Sequence, residues 1–172
     1  ISLVTLFEAP GLRCLSSGDG EKAVEDAVLA SGADVHADVF KAAHHGSSTS
    51  NTQAFLDAVR PQAVVVSCGA GNSYGHPHAE SMEKLQTMDI QLLRTDKQGT
   101  IIASTDGSSI TWNVSPCNDY TPGDPDDKPA KPQTSNAASS QTAGGSSAGN
   151  SSSSQSIPVT TTYILNTSTK KI

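Results

Sequence analysis

The chain lacks any cysteine pattern that would staple a fold or cage a zinc ion. Its cysteines, Cys14, Cys68 and Cys117, show no CxxC or zinc-finger spacing. Cys14 and Cys68 lie inside apolar strand patterns and read as small buried hydrophobes, whereas Cys117 has no obvious partner. Long apolar runs are absent too. Nothing approaches the roughly 20 residues of a membrane-spanning helix, so no membrane segment is expected in this stretch. Positive charge is scarce, with 11 Lys and Arg against 17 Asp and Glu over 172 residues. The first 114 residues hold 7 basic against 13 acidic groups and carry the whole net charge of −6. That balance argues against sequence-independent nucleic-acid binding through a basic face. It leaves room for a metal site that handles phosphates, because a bound divalent ion inverts the local charge. The serine-hydrolase GxSxG, the Walker loop and the dinucleotide GxGxxG are all missing.

What is present is histidine, concentrated. Four of the five histidines fall in two short stretches, Lys41-Ala42-Ala43-His44-His45-Gly46-Ser47-Ser48 and Asn72-Ser73-Tyr74-Gly75-His76-Pro77-His78. Each follows an apolar run that reads as a buried strand and precedes a helical pattern. Neutral imidazoles gathered at strand ends are good ligands for Zn, Mn or Fe. Asp19, in Leu15-Ser16-Ser17-Gly18-Asp19, takes the equivalent place after an earlier strand.

Composition divides the chain. Residues 1–114 hold nearly all the aliphatic side chains, enough for a modest core. Turn and periodicity signals predict strands over 1–7 and 12–16, a helix over 21–31 with Ala23, Val24, Ala27, Val28 and Ala30 inward, and a strand over 37–43. A helix over 51–60, with Ala54, Phe55, Ala58 and Val59 inward, is followed by a strand over 63–68, buried on both faces. Pro77 is placed as the first residue of a helix running to 88. Strands over 90–94, 100–104 and 109–114 complete an α/β layered architecture. Residues 115–156, rich in Pro, Asp, Ser, Gly and Asn, predict a disordered linker, and 157–172 the first strand of a truncated second module. The chain opens at Ile1, in mid-strand, and reads as an excerpt of a longer protein.

Each candidate has a plainer alternative. Asp19 has the sequence setting of a turn or helix N-cap residue. Residues 47–50 read as a loop capping the helix at Asn51. His76 has the position of a cap for the following helix, and a helix N-terminus beside imidazoles also suits an anion. Trp112 reads as core and His36 as surface. Adjacent histidines followed by Gly and a Ser/Thr run are harder to explain by packing. An Asp together with several His residues suits a metal ion that activates water and polarises a phosphoryl or carbonyl oxygen.

These runs, together with Leu93-Arg94-Thr95-Asp96-Lys97-Gln98-Gly99-Thr100, resemble the metallo-β-lactamase-like domain of ComEC-type competence proteins and their secreted relatives. The resemblance covers residues 1–114 and implies the C-terminal half of an αββα sandwich whose strand-end loops hold one or two divalent ions, Zn or Mn. It implies that Asp19 is a bridging metal ligand, matching the family's TGD motif with Ser17 where Thr is usual. Within HHGS it implies a metal-ligand histidine, assigned to His44, with His45 touching substrate or supporting the ligands. Tyr74, His76 and His78 then match the active-site wall that contacts the scissile phosphate or donates a proton. The family's upstream HxHxDH does not occur in this chain. The resemblance therefore implies half a site, inactive alone, whose partner is the missing N-terminal half of the same domain.

Two functions follow as expectations. One is a metal-dependent phosphodiesterase or nuclease acting on DNA or a related phosphoester, in an extracellular or cell-surface bacterial protein. The other is a non-catalytic binding or scaffold module on a secreted multidomain protein.

Overall fold

The structure, a computed structural model, describes residues 2–126 and the backbone of 161–165. Four parallel strands build the centre. Strand β2 (Leu12–Ser16) pairs antiparallel with β1 (Thr5–Ala9) across a turn at Gly11, and parallel with β3 (Val39–Lys41). Strands β4 (Ala63–Val66) and β5 (Gln91–Arg94) continue the sheet in chain order, β1-β2-β3-β4-β5. Helices α1 (Lys22–Ala30), α2 (Gln53–Val59) and α3 (Ala79–Thr87) make the crossovers. A one-turn helix α4 (Thr95–Gln98) leads to β6 (Ile101–Thr105) and β7 (Ile110–Trp112), an antiparallel pair.

Side chains alternate across the central sheet as period two requires. Leu15, Phe40, Val64, Val66 and Leu92 point into one cluster with Phe55, Leu56, Val59, Met82 and Leu85 of the helices. Cys14, Val39, Ala63, Val65 and Leu93 point the other way, against Ile101, Ile110 and Trp112. The result is three layers, helices then sheet then a smaller sheet, which agrees with the α/β class expected.

Several local expectations are corrected. The inward residues of α1 are not its alanines: Ala23, Ala27 and Ala30 are exposed, and the fully buried residue is Glu25. Its carboxylate accepts the Asn51 and Thr52 backbone N–H groups at 2.7 and 2.9 Å, so α1 holds the start of α2, while its apolar contact with the core comes from Val28 and Leu29. Helix α3 begins at Ala79 with His78 as its cap, and Pro77, preceded by a cis peptide bond, lies outside it. Within the stretch expected as linker, residues 117–123 lie against the domain. The Cys117 and Asn118 N–H groups donate to Leu92 O on the outer side of β5, and the Tyr120 hydroxyl donates to Ile90 O at 2.8 Å. An otherwise open strand edge gains partners this way. The backbone of β8 (Thr161–Leu165), in the segment assigned to a second module, pairs antiparallel with β6. Linker residues 127–156 lie outside the described residues.

Candidate functional site

Because β2, β3 and β4 run parallel, their C-terminal ends open on one rim, where α/β sheets place ligand-contacting loops. Asp19 follows β2, His44 and His45 follow β3, and the loop from Ser67 to His78 follows β4. Sequence-distant candidates therefore meet. His44, His45 and His76 form a ring cluster with centroid separations of 5.4 to 6.3 Å.

The turn Ala43–Gly46 holds the two histidines in left-handed backbone, His44 at φ 47° and His45 at φ 57°. For a residue with a Cβ that conformation costs about 1–2 kcal/mol, and such strain persists only where surrounding contacts dictate it. Here they do. The His44 N–H donates to Gly18 O at 2.9 Å. Buried Asn51 accepts the Ala43 N–H at 2.8 Å through Oδ1 and donates through Nδ2 to Ala43 O and Ser47 O at 3.1 and 3.3 Å. Gly46, at φ 83°, lies so close to Pro77 that a Cβ there would stand 2.7 Å from the proline Cβ. The two histidine loops thus touch without room for a side chain between them.

Each imidazole has a distinct position. His45 Nδ1 lies 2.7 Å from Ser67 O, which fixes the proton on that nitrogen, and its Nε2 stands 3.6 Å from Asp19 Oδ1. His44 Nδ1 instead lies toward Thr49 Oγ1 and Glu21 Oε1, at 3.5 and 3.7 Å. Asp19 therefore faces His45 rather than His44. His78 joins the loops: its Nδ1 accepts the Ser48 N–H at 3.0 Å, its Nε2 donates to Tyr74 O at 3.0 Å, and its own N–H donates to Gly46 O at 2.9 Å. Both ring nitrogens of His78 are engaged. His76, only 7 % exposed, has no ring hydrogen bond among the described residues. Tyr74, largely exposed, stacks on it at 5.7 Å and 17°. Burial, followed by the neighbouring imidazoles of His78, His44 and His45, pushes the His76 pKa down to about 4, so this ring is neutral at neutral pH.

One charged group escaped the sequence reading. Lys41, the last residue of β3, is half-buried at the rim. Burial lowers its pKa while Asp19 works in the opposite direction, which places this ammonium in the field of the candidate carboxylate. The signal was its position, at the end of the strand and two residues ahead of the histidine turn. Cys68, at the start of the loop after β4, is held as an inert thiol, its pKa pushed up to about 12 chiefly by burial.

A metal fit can be judged from these donors. His45, with Nδ1–H given to a carbonyl and Nε2 open toward a carboxylate, has the orientation of a ligating histidine. Yet among the described residues no group of three His, Cys, Asp or Glu side chains is placed to hold an ion. Asp19 and His45 form a pair of donors and stop short of the four that a closed zinc site uses. Likewise, no helix among the described residues is long and apolar enough to cross a membrane.

No family model matches the chain. It is 39 % identical over 100 residues to ComE operon protein 3 of Bacillus subtilis, a match covering 58 % of this chain and 13 % of that protein. It is 35 % identical over 101 residues to Competence protein ComA of Neisseria gonorrhoeae, covering 58 % and 15 %. With Recombination protein 2 of Haemophilus influenzae it shares 34 % identity over 64 residues, covering 37 % and 8 %. The matched stretch is thus less than a sixth of each relative. These likenesses support kinship with competence-related proteins over 58 % of the chain.

Proposed function

We propose that this rim is one side of a phosphodiester-handling site in a competence-type protein, acting on DNA or a related phosphoester during DNA uptake at the cell envelope. One observation carries the reading. With its proton held by Ser67 O, His45 presents the Nε2 lone pair to the Asp19 carboxylate across 3.6 Å. Two electron-rich groups so placed call for a proton or a cation between them. The names of the relatives support the competence setting.

A divalent ion, Zn or Mn, would take Asp19 and His45 from this chain and its remaining donors from outside the described residues. Such an ion supplies Lewis acidity toward a phosphoryl oxygen. The chain's own groups do the rest. Neutral His76 offers a free ring nitrogen to a substrate oxygen, and exposed Tyr74 walls the opening beside it. Lys41 supplies positive charge in an otherwise acidic molecule, while His44 packs against His76 and steadies the cluster. His78 holds the two loops in register.

A second reading, a non-catalytic binding or scaffold module, is favoured by the absence of a three-donor group among the described residues. The parent protein decides between them. We expect it to cleave DNA with Mn or Zn present, and Asp19→Asn and His45→Ala to lower that rate on the order of a hundredfold or more. Wild-type protein that binds DNA without cutting it under either metal would end the hydrolase reading and leave the scaffold.

A further inference from the structure

The run from Leu93 to Thr100 takes no part in the chemistry above, yet it contains the largest fully buried side chain of the fold. Arg94, at the end of β5, is 0 % exposed. Its Nε and Nη2 donate to the two carboxylate oxygens of Asp96 at 3.1 and 2.6 Å. A buried guanidinium paired this way has met its charge, and its remaining donors are free to organise neighbours. Nη1 donates to Asp119 O at 2.8 Å and to Thr121 O. Both acceptors are backbone carbonyls of the segment that lies along β5. The next residue, Thr95, grips the other side: its hydroxyl accepts the Cys68 N–H at 2.9 Å and donates to Cys68 O at 2.7 Å, where β4 opens into the histidine loop.

The segment held by Arg94 ends on that same loop. The Gly123 N–H donates to Pro77 O at 2.7 Å. A Cβ on Gly123 would overlap the carbonyl group of His76, so the contact admits glycine alone. Within the loop, Asn72 accepts the His76 N–H at 3.0 Å and donates to His76 O. The carbonyl side of His76 is therefore trapped between Asn72 and Gly123.

The geometry points to Arg94 as a positioning residue for the Tyr74–His76 loop, acting through a strap of residues 117–123 whose far end, Gly123, seats the His76–Pro77 backbone. The importance of that loop rests on the function proposed above; the positioning itself does not. The Arg94-Thr95-Asp96 turn thus holds the loop at both ends, at Cys68 directly and at His76 by way of the strap.

Amide hydrogen exchange on the full 172-residue chain, without metal or substrate, tests this. Gly123→Ala places a methyl where His76 O stands and should lift the strap from the loop. We expect its melting temperature to stay near wild type, while the Gly75 and His76 amides exchange roughly tenfold faster and the His76 ring resonances shift. Arg94→Lys, which cannot keep both the Asp96 fork and two carbonyls, should give the same local pattern. If Arg94→Lys does not fold, Gly123→Ala decides alone. Loop exchange unchanged in folded Gly123→Ala overturns the proposal, and so does acceleration spread equally over β3 and β4, which would mark the strap as general stabilisation. A wild-type parent protein that fails to cut DNA, with loop exchange still tied to Gly123, would sink the proposed function and leave this inference standing.

Discussion

The helix-covered face of the central sheet and its C-terminal rim are built from the same strands by opposite rules. On the face, Leu15, Phe40, Val64 and Leu92 meet Phe55, Leu56 and Leu85 with almost no exposure, and stability comes from apolar area removed from water. Beyond the strand ends the chain turns to imidazoles, left-handed non-glycine backbone and a lone pair set against a carboxylate. These features cost free energy. The contrast shows where this fold stores stability and where it spends it, and it can be tested from both sides.

The largest effect should come from the face. Phe55 is fully buried and meets Phe40 edge-on at a centroid distance of 5.9 Å. Truncating it opens a cavity in the middle of the layer, so Phe55→Ala should cost about 3–5 kcal/mol. Urea unfolding would measure it, and the rim should lose its structure in the same transition. A cost below about 1 kcal/mol would mean that the helices contribute far less than their burial implies.

A smaller effect should come from the rim through pH. The folded state holds His76 near a pKa of about 4, against an ordinary 6.5. Between those values the unfolded chain binds the proton that the folded chain refuses, so stability rises with pH across the window. Lowering pH from about 6.5 to about 4 should therefore remove roughly 2–3 kcal/mol. This contribution is fully recovered above 6.5. His76→Gln should flatten that slope when both proteins are unfolded in urea with chelator present. Parallel slopes for the two would place the titration elsewhere.

Much of this division was legible in the residues. The stretches 37–43 and 63–68 read as strands from their apolar residues, and parallel strands joined by helices open on one rim, which gathers Asp19, His44, His45 and His76. What escaped the sequence depends on partners distant along the chain. Periodicity turned the alanines of α1 inward, because it cannot see that Glu25 is needed by the N–H groups of Asn51 and Thr52. Composition marked 115–156 as linker and gave no sign that 117–123 lies along β5, because Asp, Pro and Gly look alike whether solvated or held by a buried arginine. His78 matched a motif of reactive residues, and its ring nitrogens are hydrogen-bonded to the backbone of Ser48 and Tyr74. Asp19 was paired with His44 on the resemblance, whereas the left-handed turn swings His45 toward it. Such outcomes belong to tertiary geometry, which local pattern does not encode.

The smallest effect isolates the strain itself. His44 sits at φ 47° with its ring partly exposed, and its hydrogen bond to Thr49 is long, at 3.5 Å. Glycine visits that backbone region without steric cost, and alanine does not. His44→Gly should therefore be more stable than His44→Ala by about 1 kcal/mol. Glycine also enlarges the unfolded ensemble, which trims the gain by several tenths of a kcal/mol. The pair, compared by urea midpoint at pH 7, measures the backbone alone, since both variants lack the ring. Against wild type, His44→Gly should be close to neutral, because the released strain offsets the lost ring contacts with His76. If alanine proved as stable as glycine, the turn would not be strained, and the contrast between face and rim would reduce to polarity.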